Sequence, residues 1–343
     1  MMRLPSFRYL APASVQQAAR ILADEGPGAR IMAGGTDLLP NMKRRQQTPH
    51  VLVSLRNVAE VRQVVDEPDG GLRLGSGLTL AQVVGSAPVR QRYAGLWQAA
   101  SQVASGHLRA MGTLGGNLCL DTRCGYYDQS YEWRKAIDFC MKCQGSVCWV
   151  ATASRRCLAV SSTDCAPALI SLGARVELVS VRGRRELAVE DLYRNDGIAY
   201  LACEPDEILT DVLLPDRRTW RSSYWKLRRR GSFDFPVLGF AAAAELAPDG
   251  TVLQTRIALG AVASCPILTT TGELLRGESL TDEVIEQVAR ATASAAKPMN
   301  NTDLDSHWRK RVVPAFVAHA LHELRGEDMT ATRWRVSRTD LSA

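Results

Sequence analysis

The sequence predicts an α+β protein in two parts. A two-lobed domain over residues 1–216 holds an aperiodic, cysteine-rich loop at 122–157, and a smaller α+β domain follows over 217–343. Three observations lead there. Two glycine-rich turns, at Gly34-Gly35 and Gly115-Gly116, each end a short regular segment in the N-terminal half. Between Cys124 and Cys157 the apolar periodicity of the flanking segments disappears. The last third restarts with a hairpin pattern and closes on two amphipathic helices.

Composition sets the bounds. A hydrophobic fraction of 46% and a charged fraction of 23% are ordinary for a globular chain with ample core. The segment MMRLPSFRYLAPAS lacks the apolar h-region of a signal peptide, and no apolar run is long enough to cross a bilayer, so a cytoplasmic, membrane-free protein is expected. The net charge of +6 gathers at Lys43-Arg44-Arg45, Arg155-Arg156, Arg217-Arg218 and Arg228-Arg229-Arg230. Such runs are ordinarily solvated faces; the sharper reading is an acidic protein partner or a phosphate-bearing ligand. Nucleic acid is not expected, because no recognised nucleic-acid module accompanies the charge.

In chain order, residues 13–24 read as a helix, with Ser14 and Gln17 as a capping box and Val15, Ala18, Ala19 and Leu22 as its apolar face. A strand over Arg30-Ile31-Met32-Ala33 runs straight into Gly34-Gly35-Thr36-Asp37-Leu38. Glycines after a strand let the backbone turn sharply and bring several N–H groups to a phosphate. Thr36 is placed to cap a helix through Leu38 and Leu39, and the alternative is a plain strand–helix connection. Val51 to Leu55 is a second buried strand of this lobe.

From 71 onward the pattern changes. Leu72, Leu74 and Ser76 alternate as in a strand, Thr79 with Gln82 caps a short helix, and a second helix covers 94–104. Met111 to Asn117 then repeats the glycine-turn theme. Two such turns on separate elements point to a ligand with two phosphates bridged between lobes. A Rossmann site is not indicated, since no G-x-G-x-x-G occurs.

Six of the nine cysteines lie between Thr113 and Cys157, in a stretch rich in aromatics and charge. A loop this long, with little apolar content, needs an ordering force, and thiolates on a metal centre supply one. Zinc sites usually show two C-x2-C pairs, whereas only Cys140 and Cys143 make one here. The other spacings are wide, as Fe–S ligands often are. Free buried thiols are the plainer alternative, and a disulfide framework the least favoured.

Past the loop, Pro167 to Leu172 reads as a helix behind Asp164. Residues 176–179 and 185–189 pair as a hairpin across Arg182-Gly183-Arg184, and Glu207 to Leu214 forms a strand ended by Pro215. Without further information Lys226 reads as an exposed residue on an edge strand, Asp164 as an N-cap and Val103 as core. In the C-terminal third, 237–246 and 252–262 form a hairpin around Pro248-Asp249-Gly250, followed by helices through Val284–Ala291 and Val312–Leu321.

The pairing of Ala33-Gly34-Gly35-Thr36-Asp37 with Thr113-Leu114-Gly115-Gly116-Asn117 resembles the FAD-binding loops of the xanthine oxidase and carbon monoxide dehydrogenase flavoprotein family. The resemblance extends from end to end and implies a PCMH-type FAD-binding domain followed by that family's C-terminal domain. It implies FAD contacts at Ile31, Met32, Ala33, Gly34, Gly35, Thr36, Asp37 and Leu38, at Thr113, Leu114, Gly115, Gly116 and Asn117, and at Val103, Asp164, Leu209 and Lys226. Asp164 would accept hydrogen bonds from the cofactor, and the Lys226 ammonium would favour the anionic reduced flavin. His107, at a helix–loop junction, is read as polar surface, so the flavin is expected to be noncovalent.

In most members the second glycine loop leads directly to the strand here represented by Leu158 to Asp164. The intervening loop is similar to the insertion in the flavin subunits of 4-hydroxybenzoyl-CoA reductases, which carries an extra [4Fe–4S] cluster. Matching that pattern selects Cys124, Cys140, Cys148 and Cys157 as ligands. Cys143 is a surplus thiol that could replace Cys140 or Cys148, and is read as a bystander. Because the insertion lies outside both glycine loops, the flavin is expected to survive loss of any of its five thiols, and the flanking lobes to pack without it.

The resemblance further implies an electron-transfer subunit with no catalytic residue of its own. Its partners would be a molybdopterin-containing large subunit and a small subunit with two [2Fe–2S] clusters, assembled as a dimer of heterotrimers. Reduced ferredoxin would supply electrons to dehydroxylate 4-hydroxybenzoyl-CoA to benzoyl-CoA. Two rival functions stay open: a hydroxylase of the same family passing electrons to NAD or a quinone, and a zinc-stapled binding protein whose basic faces meet an acidic partner.

Overall fold

A computed structural model describes residues 3–339 and Leu341. The first lobe is a three-stranded parallel sheet, β1 (Arg8–Leu10), β2 (Ala29–Met32) and β3 (Val51–Ser54), ordered β1-β3-β2. Helices α1 (Val15–Glu25) and α2 (Leu38–Lys43) connect its strands. Ser14 caps α1 by accepting from the Gln17 N–H, while the Gln17 side chain accepts from the Ala13 N–H, one residue earlier than a strict capping box requires. Val15, Ala18, Ala19 and Leu22 recur at helical spacing and are buried against Val51 and Val53. All four residues of β3 are buried because both its edges are paired and α1 covers one face.

The second lobe begins with β4 (Val64–Asp66) and β5 (Leu72–Gly75), then turns helical through α3 (Leu80–Gly85), α4 (Ala87–Arg92), α5 (Ala94–Ser101), α6 (Gly106–Arg109) and α7 (Leu114–Leu118). Thr79 and Gln82 make a full capping box at α3. In the insertion only α8 (Tyr131–Ala136) is helical, and the rest is turns. The chain then re-enters the lobe as α9 (Cys165–Ser171), β6 (Arg175–Ser180), β7 (Gly183–Ala188) and β8 (Ile208–Leu214). Strands β4 to β8 form one antiparallel sheet ordered β4-β5-β8-β6-β7, so the insertion is flanked by segments of a single lobe.

The C-terminal part is a four-stranded antiparallel sheet of β9 (Trp220–Leu227), β10 (Leu238–Leu246), β11 (Val252–Gly260) and β12 (Ile267–Thr269), with helices α10 (Asp282–Ala295), α11 (Ser306–Arg325) and α12 (Thr330–Ser337). The alanine run of β10 shows why both faces of this sheet are dry. Phe240, Ala242 and Ala244 join the core beneath α10 and α11, while Ala241 and Ala243 pack on the second lobe, beside Ala99 and Ala168 in one case and in its main core in the other. Strand alternation sends successive side chains to opposite faces, and methyl groups let α5 and α9 approach closely. Gly95 in α5 serves the same closeness: a Cβ there would lie 3.2 Å from Ser222 of β9.

Candidate functional site

Where the lobes meet, a cavity of about 900 Å³ opens between the two glycine loops. That is the size of a pocket for a large organic ligand. The loops are packed on each other: a Cβ on Gly34 would sit 1.9 Å from the Met111 carbonyl oxygen, so a side chain is excluded there by the second loop itself. Thr36 does not cap α2. The N-cap position falls to Asp37, whose carboxylate turns away from the helix to pair with Arg123 and accept from the Asp121 N–H at 3.2 Å.

The first loop is built to receive an anion. Among the described residues, no backbone carbonyl accepts from the N–H groups of Gly34 through Leu38. Backbone donors in a partly buried loop need partners, and five consecutive free ones are available to an anion. The second loop differs from the expectation of a matching nest. Leu114 N–H bonds the Leu78 carbonyl at 2.9 Å, Gly115 N–H the Ser76 carbonyl at 2.8 Å, and Gly116 N–H the Thr113 hydroxyl at 3.0 Å. Its amides hold the loop to the strand edge, and it offers the cavity the bare surface of Gly115, Gly116 and Asn117. Asn117 is fixed by accepting from Thr163 Oγ1 at 2.8 Å and the Cys165 N–H at 3.0 Å.

All of the FAD-contact residues expected from sequence line the cavity except Leu114, which is core, and Lys226. Lys226 is on an edge strand as read, yet it is fully buried. Its Nζ lies 3.0 Å from Asp164 Oδ2 and 3.0 Å from the Gln102 carbonyl. Asp164 lines the cavity, and Tyr224 donates to its Oδ1 at 2.7 Å. Burial pushes the Asp164 carboxyl up and the Lys226 ammonium down, each opposed by the charge of the other. Lys226 is thus held behind the cavity wall as the partner of Asp164.

Residues that sequence reasoning missed complete the wall. Asp121, Arg123, Tyr127 and Lys142 come from the insertion or its edge, Tyr200 from the 194–209 segment, and Phe233 and Phe235 from the loop after β9. The Arg123 guanidinium lies 4.4 Å from the Phe235 ring centroid, which brings the C-terminal part over the cavity. The insertion, though outside both glycine loops, thus contributes to the wall of the cavity. The basic loop residues gave no periodic signal by which to place them.

The five thiols of the insertion gather beside this wall. Cys124, Cys140 and Cys157 share one small core with Tyr127 and Ala159, Cys148 is also buried, and Cys143 is half-buried. Burial pushes the Cys124 thiol up to about 12 and the Cys157 thiol up to about 11, and in both the neighbouring cysteines add to the rise. Cys124 feels Cys140 and Cys157, Cys157 feels Cys140 and Cys148, and Cys140 feels Cys143 and Cys148. Cys124, Cys140 and Cys157 thus lie together in one buried group, with Cys148 on the side of Cys140 and Cys157. Cys143 has its own partner, accepting from the buried Arg134 Nη1 at 2.8 Å. A zinc staple would draw its sulfurs to about 2.3 Å from one point. Among the described residues, no three His, Cys, Asp or Glu side chains are placed to hold a metal ion.

Comparison with known proteins agrees with this architecture. Residues 5–217 match the family described as the FAD binding domain in molybdopterin dehydrogenase, and residues 222–324 match the CO dehydrogenase flavoprotein C-terminal domain. The chain is 28% identical to the nicotine 6-hydroxylase medium subunit of Paenarthrobacter nicotinovorans, over 94% of this chain and 98% of that protein. It is 34% identical to the aldehyde oxidoreductase FAD-binding subunit of Escherichia coli K12, over 72% of this chain and 79% of that one. Its fold superposes on a subunit of the Hydrogenophaga pseudoflava carbon monoxide dehydrogenase with a TM-score of 0.78, at 24% identity and covering 94% and 98% of the two chains. With family matches over both parts of the chain and a phosphate nest beneath a cavity of the right size, the protein belongs to the FAD-binding subunits of the molybdenum hydroxylase family.

Proposed function

We propose that the chain carries FAD and a [4Fe–4S] cluster as the electron-transfer subunit of a molybdenum enzyme that reductively dehydroxylates 4-hydroxybenzoyl-CoA to benzoyl-CoA. One observation carries the reading: four buried cysteines, three of them in one small core, lie in an insertion whose Arg123, Tyr127 and Lys142 line the flavin cavity. Cys124, Cys140, Cys148 and Cys157 would hold the cluster. Electrons would arrive there from reduced ferredoxin and pass to a small subunit with two [2Fe–2S] clusters and a molybdopterin-containing large subunit, in a dimer of heterotrimers. The free thiols suit a reducing compartment, and we place the enzyme in the cytoplasm.

The residues divide the work. The Gly34–Leu38 amides bind the pyrophosphate, and Asn117 and Asp164 offer polar groups along the cofactor's length. Phe233 and Phe235 shield the cavity mouth from water. When bound, FAD supplies the exchange between two-electron and one-electron carriers. The Asp164 carboxylate, backed by Lys226, accepts a hydrogen bond from the flavin and holds it in register. No side chain here is assigned to substrate chemistry.

Anaerobic purification with co-purifying subunits identified tests the assignment. About four iron per chain, noncovalent FAD and benzoyl-CoA formation with a low-potential donor support it; absence of iron removes the cluster. A second reading, an outward-flowing hydroxylase, is favoured by the hydroxylase and oxidoreductase named among the relatives. Reduction of NAD or a quinone by an N-heterocycle or aldehyde would select it.

A further inference from the structure

Cys124 and Cys143 each adjoin in sequence a residue that walls the flavin cavity, and Cys157 contacts Gly197, whose next three residues line it. Arg123, next to Cys124, pairs with Asp37 of the phosphate nest. Lys142, between Cys140 and Cys143, is almost wholly buried, and its ammonium bonds Asp121 Oδ1 at 2.7 Å and the Gly197 carbonyl at 2.8 Å. It also lies 4.9 Å and 5.5 Å from the Tyr127 and Tyr200 ring centroids. Gly197 donates to the Cys157 carbonyl at 2.9 Å, and a Cβ on it would lie 2.7 Å from Cys157 Sγ. Ile198, Ala199 and Tyr200, which follow it, line the cavity.

We infer that metal-centre occupancy and FAD affinity are coupled, with Lys142 as the positioning strut between them. The coupling rests on the cluster reading of the insertion. Without a metal centre the loop has little apolar content to hold it, as its sequence shows, and its thiols are free to separate. Cys140 and Cys157 then cease to fix Lys142 and Gly197, and the wall formed by Tyr127, Lys142 and Tyr200 loosens. A loosened wall must be reordered when FAD binds, which weakens binding by the cost of that ordering. Coupling of this kind is reciprocal, so FAD must stabilise the metal centre by the same factor.

The test uses the full chain, purified anaerobically, freed of FAD, and titrated with FAD by flavin fluorescence before and after iron is removed with a chelator. Iron removal should weaken FAD binding by about tenfold, within the usual range of intersite coupling. In Lys142→Met the FAD affinity should change little on iron removal, because the strut is already gone, whereas Cys143→Ser should behave as wild type. A measurement on unmodified chain guards against a misfolded variant: FAD should raise the chelator concentration that removes half the iron. Equal FAD affinity with and without iron overturns the coupling and leaves the cluster standing. Full coupling in a folded Lys142→Met chain overturns the role of Lys142. A chain that never carries iron overturns the cluster reading and the coupling together.

Discussion

The Lys226 ammonium and the Asp164 carboxylate meet at 3.0 Å in a site where both side chains are excluded from water. The pair joins β9 of the C-terminal part to the start of α9 in the flavin domain. Removing one member of a buried pair leaves the other charge unpaired, at a typical cost of about 3–5 kcal/mol. Lys226→Met should therefore lower the denaturant midpoint of the FAD-free chain by a corresponding amount. Asp164→Asn combined with Lys226→Met should recover most of that loss, because no charge remains buried. A double variant as unstable as the single one would show that the pair is not what joins the two parts.

Two glycines of the site should fail in different ways. At Gly34 an added Cβ meets the Met111 carbonyl at 1.9 Å, so Gly34→Ala has to part the two loops and should lower thermal stability as well as FAD retention. At Gly116 an added Cβ meets only Thr113 Oγ1, at 3.0 Å, and the rest of the side chain is directed to open space. Gly116→Val should keep its fold, as judged by circular dichroism, and lose FAD because valine occupies cofactor volume. Equal FAD occupancy in Gly116→Val and wild type would sink the assignment of that loop.

The lobes, the hairpins and both glycine loops were legible in the sequence because each rests on local signals: caps at Ser14 and Thr79, alternation at Leu72 and Leu74, turn residues at Pro248-Asp249-Gly250. What escaped has a common physical origin. The wall residues Arg123, Tyr127 and Lys142 are placed by tertiary contacts of an aperiodic loop, and periodicity says nothing about such a loop. Lys226 reads as surface from its strand position, and the packing of α5 and α9 against the edge strand buries it. The second glycine loop looks like a copy of the first. Its amides are nonetheless taken by Ser76 and Leu78, a pairing between segments that no local pattern encodes.

Two of the four basic clusters are engaged within the chain. Arg218 pairs with Asp216 at 2.6 Å, Arg229 with Asp303 at 2.9 Å and Arg230 with Asp234, while Arg217 stacks 3.9 Å from the Trp220 ring centroid. Arg155 and Arg156 are exposed next to Cys157, and Arg156 donates to the neutral Asn195 carbonyl. This is the positive surface an acidic electron donor would meet. Its association should slow with salt, because the Debye length falls from ~10 Å at 0.1 M to ~3 Å at 1 M. In the Arg155→Glu, Arg156→Glu double variant the reduction rate should drop and lose its salt dependence. A rate indifferent to both would place the donor elsewhere.

The ligand set is open to direct counting. If Cys124, Cys140, Cys148 and Cys157 hold one cluster, changing any one to Ser should remove or destabilise it, because the harder serine oxygen suits iron–sulfur centres less well than thiolate. Cys143 lies within reach of Cys140 but is the more exposed of the two and is engaged by Arg134. Cys143→Ser should therefore leave iron at about four per chain, with the other four variants well below that. Since Arg123 and Lys142 wall the cavity beside those thiols, the four ligand variants should also hold FAD less tightly, though they should still bind it through the Gly34–Leu38 nest. Electron transfer from ferredoxin should stop in them, while small dyes that reach the flavin directly should still reduce it. Loss of iron in Cys143→Ser, with iron kept in Cys140→Ser or Cys148→Ser, would make Cys143 the true ligand. Arg134 would then be a donor to a metal-bound sulfur, and Arg134→Met should shift the cluster's potential downward by removing that donor.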